Sequence, residues 1–149
     1  SANTNIAFTE NSFIPLFKQC GFTAAWISNQ DPAETYVSFI NECDTAIYAH
    51  PEKSVYNYNN WLDEDLLPYS RKLLSKNTHR NLLIFHAIGS HWFYNNHYSK
   101  PFELFRPVTK SRIVAQCSNE EIINSYDNTV VYTDYFLNQL IRQLEVKMP

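Results

Sequence analysis

With 149 residues, 44% of them apolar, and twelve Lys plus Arg against fifteen Asp plus Glu for a formal net charge of −3, the chain has the composition of one ordinary folded domain. The absence of a basic run argues against nucleic acid as a partner, and two widely separated glycines, Gly21 and Gly89, exclude a Gly-rich phosphate loop or a dinucleotide fingerprint. Cys20, Cys43 and Cys117 form no C-x-x-C pair, so neither compartment nor disulfide state follows from them. No run approaches the ~18–20 apolar residues of a membrane span, and no basic-then-apolar leader opens the chain.

Hydrophobic periodicity then switches several times along the chain, which predicts an α/β fold. A first helix is expected over about residues 10–20, capped by Thr9 or Asn11, with Phe13, Leu16, Phe17 and Cys20 at i, i+3, i+4 and i+7 and Gly21 ending it. Residues Phe22 to Ser28 are apolar on both parities and read as a buried parallel strand that closes at Asn29 to Pro32. A helix over Pro32 to Asn41 and a short strand over Asp44 to Ala49 follow, and Ser54 to Asn60 reads as a surface connection. Trp61 to Lys76 resumes helical spacing, with Pro68 near the first turns. Asn81 to Ile88 is the longest apolar run and is expected to be the most buried strand, delivering Gly89, Ser90 and His91 at its carboxyl end, where open α/β sheets place their ligands.

Residues 92–117 carry six aromatic rings between Trp92 and Phe105, which predicts an irregular excursion packed over the domain edge or covering a site. Ser118 with Glu121 forms a capping box for a helix of roughly 27 residues, about 40 Å long, in which Ile122, Tyr126, Val130, Thr133, Leu137, Leu140 and Leu144 trace one face. Asp127 and Asn128 inside that helix are indifferent helix formers, and both a buried polar contact to a neighbouring loop and a solvated back face account for them.

Three histidines gather around the strand end. His86 reads as a hydrogen-bonded core histidine, whereas His91, following Gly89 in a strand-to-loop turn, can approach a ligand. No carboxylate or thiolate in the excursion completes a zinc set with His86, His91 and His97. Asp63, Glu64 and Asp65 fall in the first turn of a helix, where they complement its dipole and are expected to be solvated. A Ser-His-Asp triad through Ser90 and His91 lacks the strained elbow such a nucleophile needs.

Three segments in order resemble a known family: Trp26 to Gln30; Leu83 to His91 leading through Tyr98, Phe102-Glu103 and Phe105-Arg106-Pro107; and Ser118 to Glu121 with Asn124 to Thr129 and Tyr132 to Leu137. Over about residues 5–146 they resemble the catalytic domain of bacterial phosphoethanolamine transferases, of the alkaline phosphatase and sulfatase superfamily. The resemblance implies a partial alkaline-phosphatase-like three-layer αβα sandwich with a mostly parallel sheet. It also implies an enzyme at the periplasmic face of the bacterial inner membrane that moves phosphoethanolamine from phosphatidylethanolamine to lipid A or another glycan through a zinc-activated Thr.

In that family the Thr nucleophile and a metal-binding Glu precede the region matched here, and a Ser-Asp-His-Gly-Glu string follows it; no such string occurs in this sequence. Residues 1–149 are therefore expected to be one segment of a sulfatase-like catalytic domain, inactive alone, with no metal ligand of its own and with its membrane anchor elsewhere. His91 matches the family's substrate-side His, and Asn29 falls in the loop bordering the phosphoethanolamine pocket. Trp92-Phe93 replaces a Gly-Pro common in the family, and the usual neighbour for a Cys117 disulfide is missing. The alternatives are a sulfatase-family hydrolase, separated by its nucleophile, and a non-catalytic module binding glycan or lipid headgroup through the aromatic excursion.

Overall fold

A computed structural model describes residues 12–30, 37–50, 61–76 and 80–146. Helix α1 spans Phe13–Gln19, strand β1 Thr23–Ser28, helix α2 Val37–Glu42 and strand β2 Thr45–Tyr48. A 3-10 turn over Asp63–Leu66 leads directly into helix α3, Leu67–Lys76, and strand β3 covers Asn81–His86. Three further 3-10 turns punctuate the excursion before helix α4, Asn119–Glu145. The expected helix and strand order stands. Thr9, Asn11, the start of the second helix and the Ser54 to Asn60 connection lie outside the described residues.

The three strands form one parallel sheet in the order β2-β1-β3, with Trp26 opposite Ala46 on one side and Ile84 on the other. This makes β1 the central strand, and five of its six residues are buried. Strand β3 lies at an edge of the sheet among the described residues and is half-buried throughout, so the expectation that it is the most buried strand is corrected. An apolar run on both parities specifies that both faces can be covered, but position in the sheet decides how far they are. The core is built on one face of the sheet, where Ile27 meets Leu66 and Phe136 and is flanked by Leu73, Leu83, Phe85 and Leu140.

Two helix faces also differ from the periodic reading. Helix α1 is capped by Ser12, whose hydroxyl accepts from the Ile14 N–H at 3.1 Å, and it buries Ile14, while Phe13, Leu16 and Phe17 stay exposed. Its rings pack edge-on against one another, Phe13 on Phe17 at 6.2 Å and Phe17 on Phe22 at 5.1 Å. In α4 the capping box forms as expected, yet the buried face is Ser125, Asn128, Thr129, Tyr132 and Phe136. The apolar stripe at Tyr126, Val130, Leu137 and Leu144 is exposed. Burial of polar side chains in place of apolar ones needs hydrogen-bond partners, and the excursion supplies them.

Candidate functional site

The carboxyl ends of β1 and β3 are tied together before the chain leaves the sheet. The Asn29 N–H donates to the His86 carbonyl at 3.0 Å, and the Gln30 side-chain amide donates to the Ala87 carbonyl at 2.6 Å. Gln30 N–H donates to Ser28 Oγ, which lies 3.1 Å from His86 Nδ1. His86 is half-buried, less enclosed than the sequence suggests, with its ring 5.3 Å from that of Trp26. Burial still holds its imidazole below the ordinary value, against the opposing pull of Asp63.

From there the backbone turns at Gly89, whose φ of +55° lies in the left-handed region that glycine enters without a Cβ penalty. Two buried side chains hold this turn. Asp63, 1% exposed, accepts from the Ile88 N–H at 2.8 Å, the Gly89 N–H at 2.9 Å and the Asn29 side-chain amide at 3.1 Å. Thr129 Oγ1 of α4 lies 2.6 Å from Ser90 Oγ. The expectation that Asp63, Glu64 and Asp65 are all solvated is therefore wrong for Asp63: a carboxylate tolerates a dry site when several N–H donors replace its water. Glu64 and Asp65 are half-buried, with Asp65 2.8 Å from His50 Nε2.

His91 emerges exposed from this turn, its Nδ1 donating to the Trp92 carbonyl at 2.7 Å. Nε2 is the remaining ring nitrogen. It accepts when the ring is neutral, and donates when the ring is protonated while Nδ1 keeps its bond. Asn29 is fully buried, its amide nitrogen held by Asp63 and its Oδ1 without a hydrogen-bond partner. His97 is also buried, with Nδ1 donating to the Trp61 carbonyl at 3.4 Å, and desolvation holds it below the ordinary imidazole value. The three histidines thus have three separate environments. Among the described residues no group of three His, Cys, Asp or Glu is placed to hold a metal ion.

The excursion is fastened to α4 by side chains. Asn128 Oδ1 accepts from the Leu104 and Phe105 N–H groups, both at 2.9 Å, and its amide donates to the Phe105 carbonyl at 3.0 Å. Ser125 Oγ accepts from the Thr109 N–H at 2.9 Å, and the Asn95 amide donates to the Thr109 carbonyl at 2.6 Å. Of the two readings of Asp127 and Asn128, the buried contact to a loop holds for Asn128. Beside His91, Trp92 packs edge-on against Phe93 at 5.3 Å and Tyr94 at 5.1 Å, and the Trp92 indole donates to the Arg112 carbonyl at 3.0 Å. Cys117 is a free thiol 3.3 Å from the Ser111 carbonyl, and Cys20 and Cys43 are free as well.

Periodicity misses Asp63 because its partners, Asn29, Ile88 and Gly89, are distant in sequence. Asn128 carried a signal: a polar residue on the same helical stripe as Ser125, Tyr132 and Phe136.

A family model described as Sulfatase matches residues 1–148. Among curated proteins the chain is 42% identical over 85 residues to phosphoethanolamine transferase EptA of Helicobacter pylori, 56% of this chain and 16% of that protein. It is 25% identical over 142 residues to phosphatidylethanolamine transferase Mcr-1 of Escherichia coli, 91% of this chain and 26% of that protein. The chain therefore spans well under two thirds of these relatives.

Among solved structures, the soluble domain of lipooligosaccharide phosphoethanolamine transferase A from Neisseria meningitidis matches with a TM-score of 0.76 and 28% identity, covering 89% of this chain and 40% of that one. The C-terminal periplasmic domain of EptC from Escherichia coli, solved as a zinc complex, matches with a TM-score of 0.77 and 24% identity, over 94% of this chain and 40% of that one. The fold is the alkaline-phosphatase-like α/β fold of these domains. Among the described residues no helix is long and apolar enough to cross a membrane.

Proposed function

Since the chain belongs to the sulfatase family, we propose that residues 1–149 are a segment of the catalytic domain of a phosphoethanolamine transferase and supply the wall that faces the transferred headgroup. In this reading the donor is phosphatidylethanolamine, the acceptor is lipid A or another glycan, and the domain works at the periplasmic face of the inner membrane, anchored by a segment elsewhere in the protein. Support comes from the relatives: those reported above are phosphoethanolamine or phosphatidylethanolamine transferases, one matched along 142 residues. The described residues do not themselves fit zinc, since no set of three ligating side chains converges. Zinc and the Thr nucleophile belong, in this proposal, to other parts of the protein, and no step is routed through them here.

The observation that carries the role of this chain is the exposed His91 held at the carboxyl end of a parallel sheet by buried partners. With Nδ1 committed to the Trp92 carbonyl, Nε2 of the protonated ring has one N–H to give. Directed at a non-bridging phosphoryl oxygen, that donor strengthens as negative charge builds there in the transition state. Asn29, expected from the sequence to be a second substrate-side residue, is fully buried and reaches this site only through its amide bond to Asp63. In the full-length protein His91→Ala is expected to lower turnover of phosphatidylethanolamine by about 10²–10³-fold, the loss typical of one transition-state donor. Zinc content and melting temperature should stay near wild type. Wild-type turnover in that variant would remove His91 from the site and this reading with it.

A further inference from the structure

Asp63 is fully buried and accepts three hydrogen bonds, from the Ile88 and Gly89 N–H groups and the Asn29 amide. No ion pair to Asp63 occurs among the described residues, so N–H dipoles alone offset its desolvation. Burying a carboxylate in this way gains little stability over an apolar side chain of similar volume. Its geometric effect is specific. An Asn amide has a donating and an accepting end, and by taking the donating end Asp63 fixes the orientation of the buried Asn29 side chain, whose Oδ1 is enclosed without a hydrogen-bond partner. The same carboxylate grips the backbone immediately before His91, where Gly89 takes its left-handed conformation.

We infer that Asp63 is the positioning residue of the site, acting on substrate through the Gly89 to His91 turn; the inference rests on the function proposed above. It touches no reacting atom. Displacing a donor by an ångström at a site of this kind costs about 10²-fold in rate. Asp63→Asn keeps the volume and one acceptor oxygen but sets an NH2 group against N–H donors, which cannot all be satisfied.

The test is a double-mutant cycle in the full-length protein, with turnover of phosphatidylethanolamine and melting temperature measured for Asp63→Asn, His91→Ala and the pair. Asp63→Asn should reduce kcat by about 10²-fold with a much smaller change in KM. On the His91→Ala background it should cost several-fold less than alone, because the group it positions is gone. Asp63→Glu, which keeps the charge on a longer arm, should lose part of the activity with the same coupling, and it carries the test if the Asn variant does not fold. A merely structural Asp63 would lower the melting temperature and multiply independently with His91→Ala, and that additive outcome overturns the inference. If His91→Ala costs turnover and Asp63→Asn does not, the inference falls and the functional reading survives. Wild-type turnover in His91→Ala ends both.

Discussion

Strands β1, β2 and β3 are joined by backbone ladders, with Ala25 to Ser28 in continuous register with both neighbours. Residues 92–117 contain no strand and only three short 3-10 turns; much of their shape comes from Ser125, Asn128 and the other polar side chains that bond them to α4. A ladder distributes its support over many equivalent bonds and is closed by burial on both faces, so each residue contributes mainly through the apolar area it hides. A loop fastened by side chains concentrates support in a few residues, and losing one leaves several backbone groups unpaired at once. The proposed site stands where the two regimes meet: β3 delivers the turn, and Asp63 and Thr129 grip it from outside the sheet.

The sharpest test of the sheet side compares its centre with its edge. Ile27 is 0% exposed at the heart of the core, and Ile27→Ala should cost about 2–5 kcal/mol in urea unfolding. Leu83→Ala, on the half-buried edge strand, should cost only about 1–2 kcal/mol. A cost at Leu83 equal to that at Ile27 would break the distinction between central and edge strand.

On the excursion side, Asn128→Ala removes two backbone donors' acceptor and one carbonyl's donor in a single step. A loss of about 2–3 kcal/mol is expected, with proteolytic cleavage appearing first between residues 92 and 117. Asn128→Asp keeps the accepting oxygen and should lose roughly half as much. Unchanged protection of the excursion in Asn128→Ala would show that the aromatic contacts hold it without α4.

The smallest effect is one of pH. Burial holds His97 and His86 below the ordinary imidazole value, so the folded state prefers both rings neutral. Their contribution is fully present above the unfolded value of 6.5 and is lost as pH falls from there through the folded-state values. The melting temperature should therefore drop between pH 7 and pH 5, and His97→Gln should flatten part of that drop. A slope unchanged in His97→Gln would assign the effect to other groups.

The order of helices and strands, the capped long helix and the turn that presents His91 were all legible in the amino-acid sequence, because each follows from local spacing: an apolar run, a Ser with Glu three residues on, a glycine after a strand. Which face each element buries was not. The periodic stripes of α1 and α4 pointed to Leu16, Phe17, Val130 and Leu137, all exposed, while α4 buries Ser125 and Asn128. Periodicity assumes that burial follows hydrophobicity, and a helix whose neighbour is an irregular loop must spend its inner face on hydrogen bonds instead.

Likewise the acids at 63–65 looked alike in sequence, and only the fold separated Asp63 from the others by bringing Asn29, Ile88 and Gly89 to it. Local chemistry along the chain determines where elements start and stop, because caps, turns and apolar runs act over a few residues. The central place of β1, the polar clamp on the excursion and the buried carboxylate behind His91 depend on donors and acceptors tens of residues apart, whose meeting only tertiary structure decides.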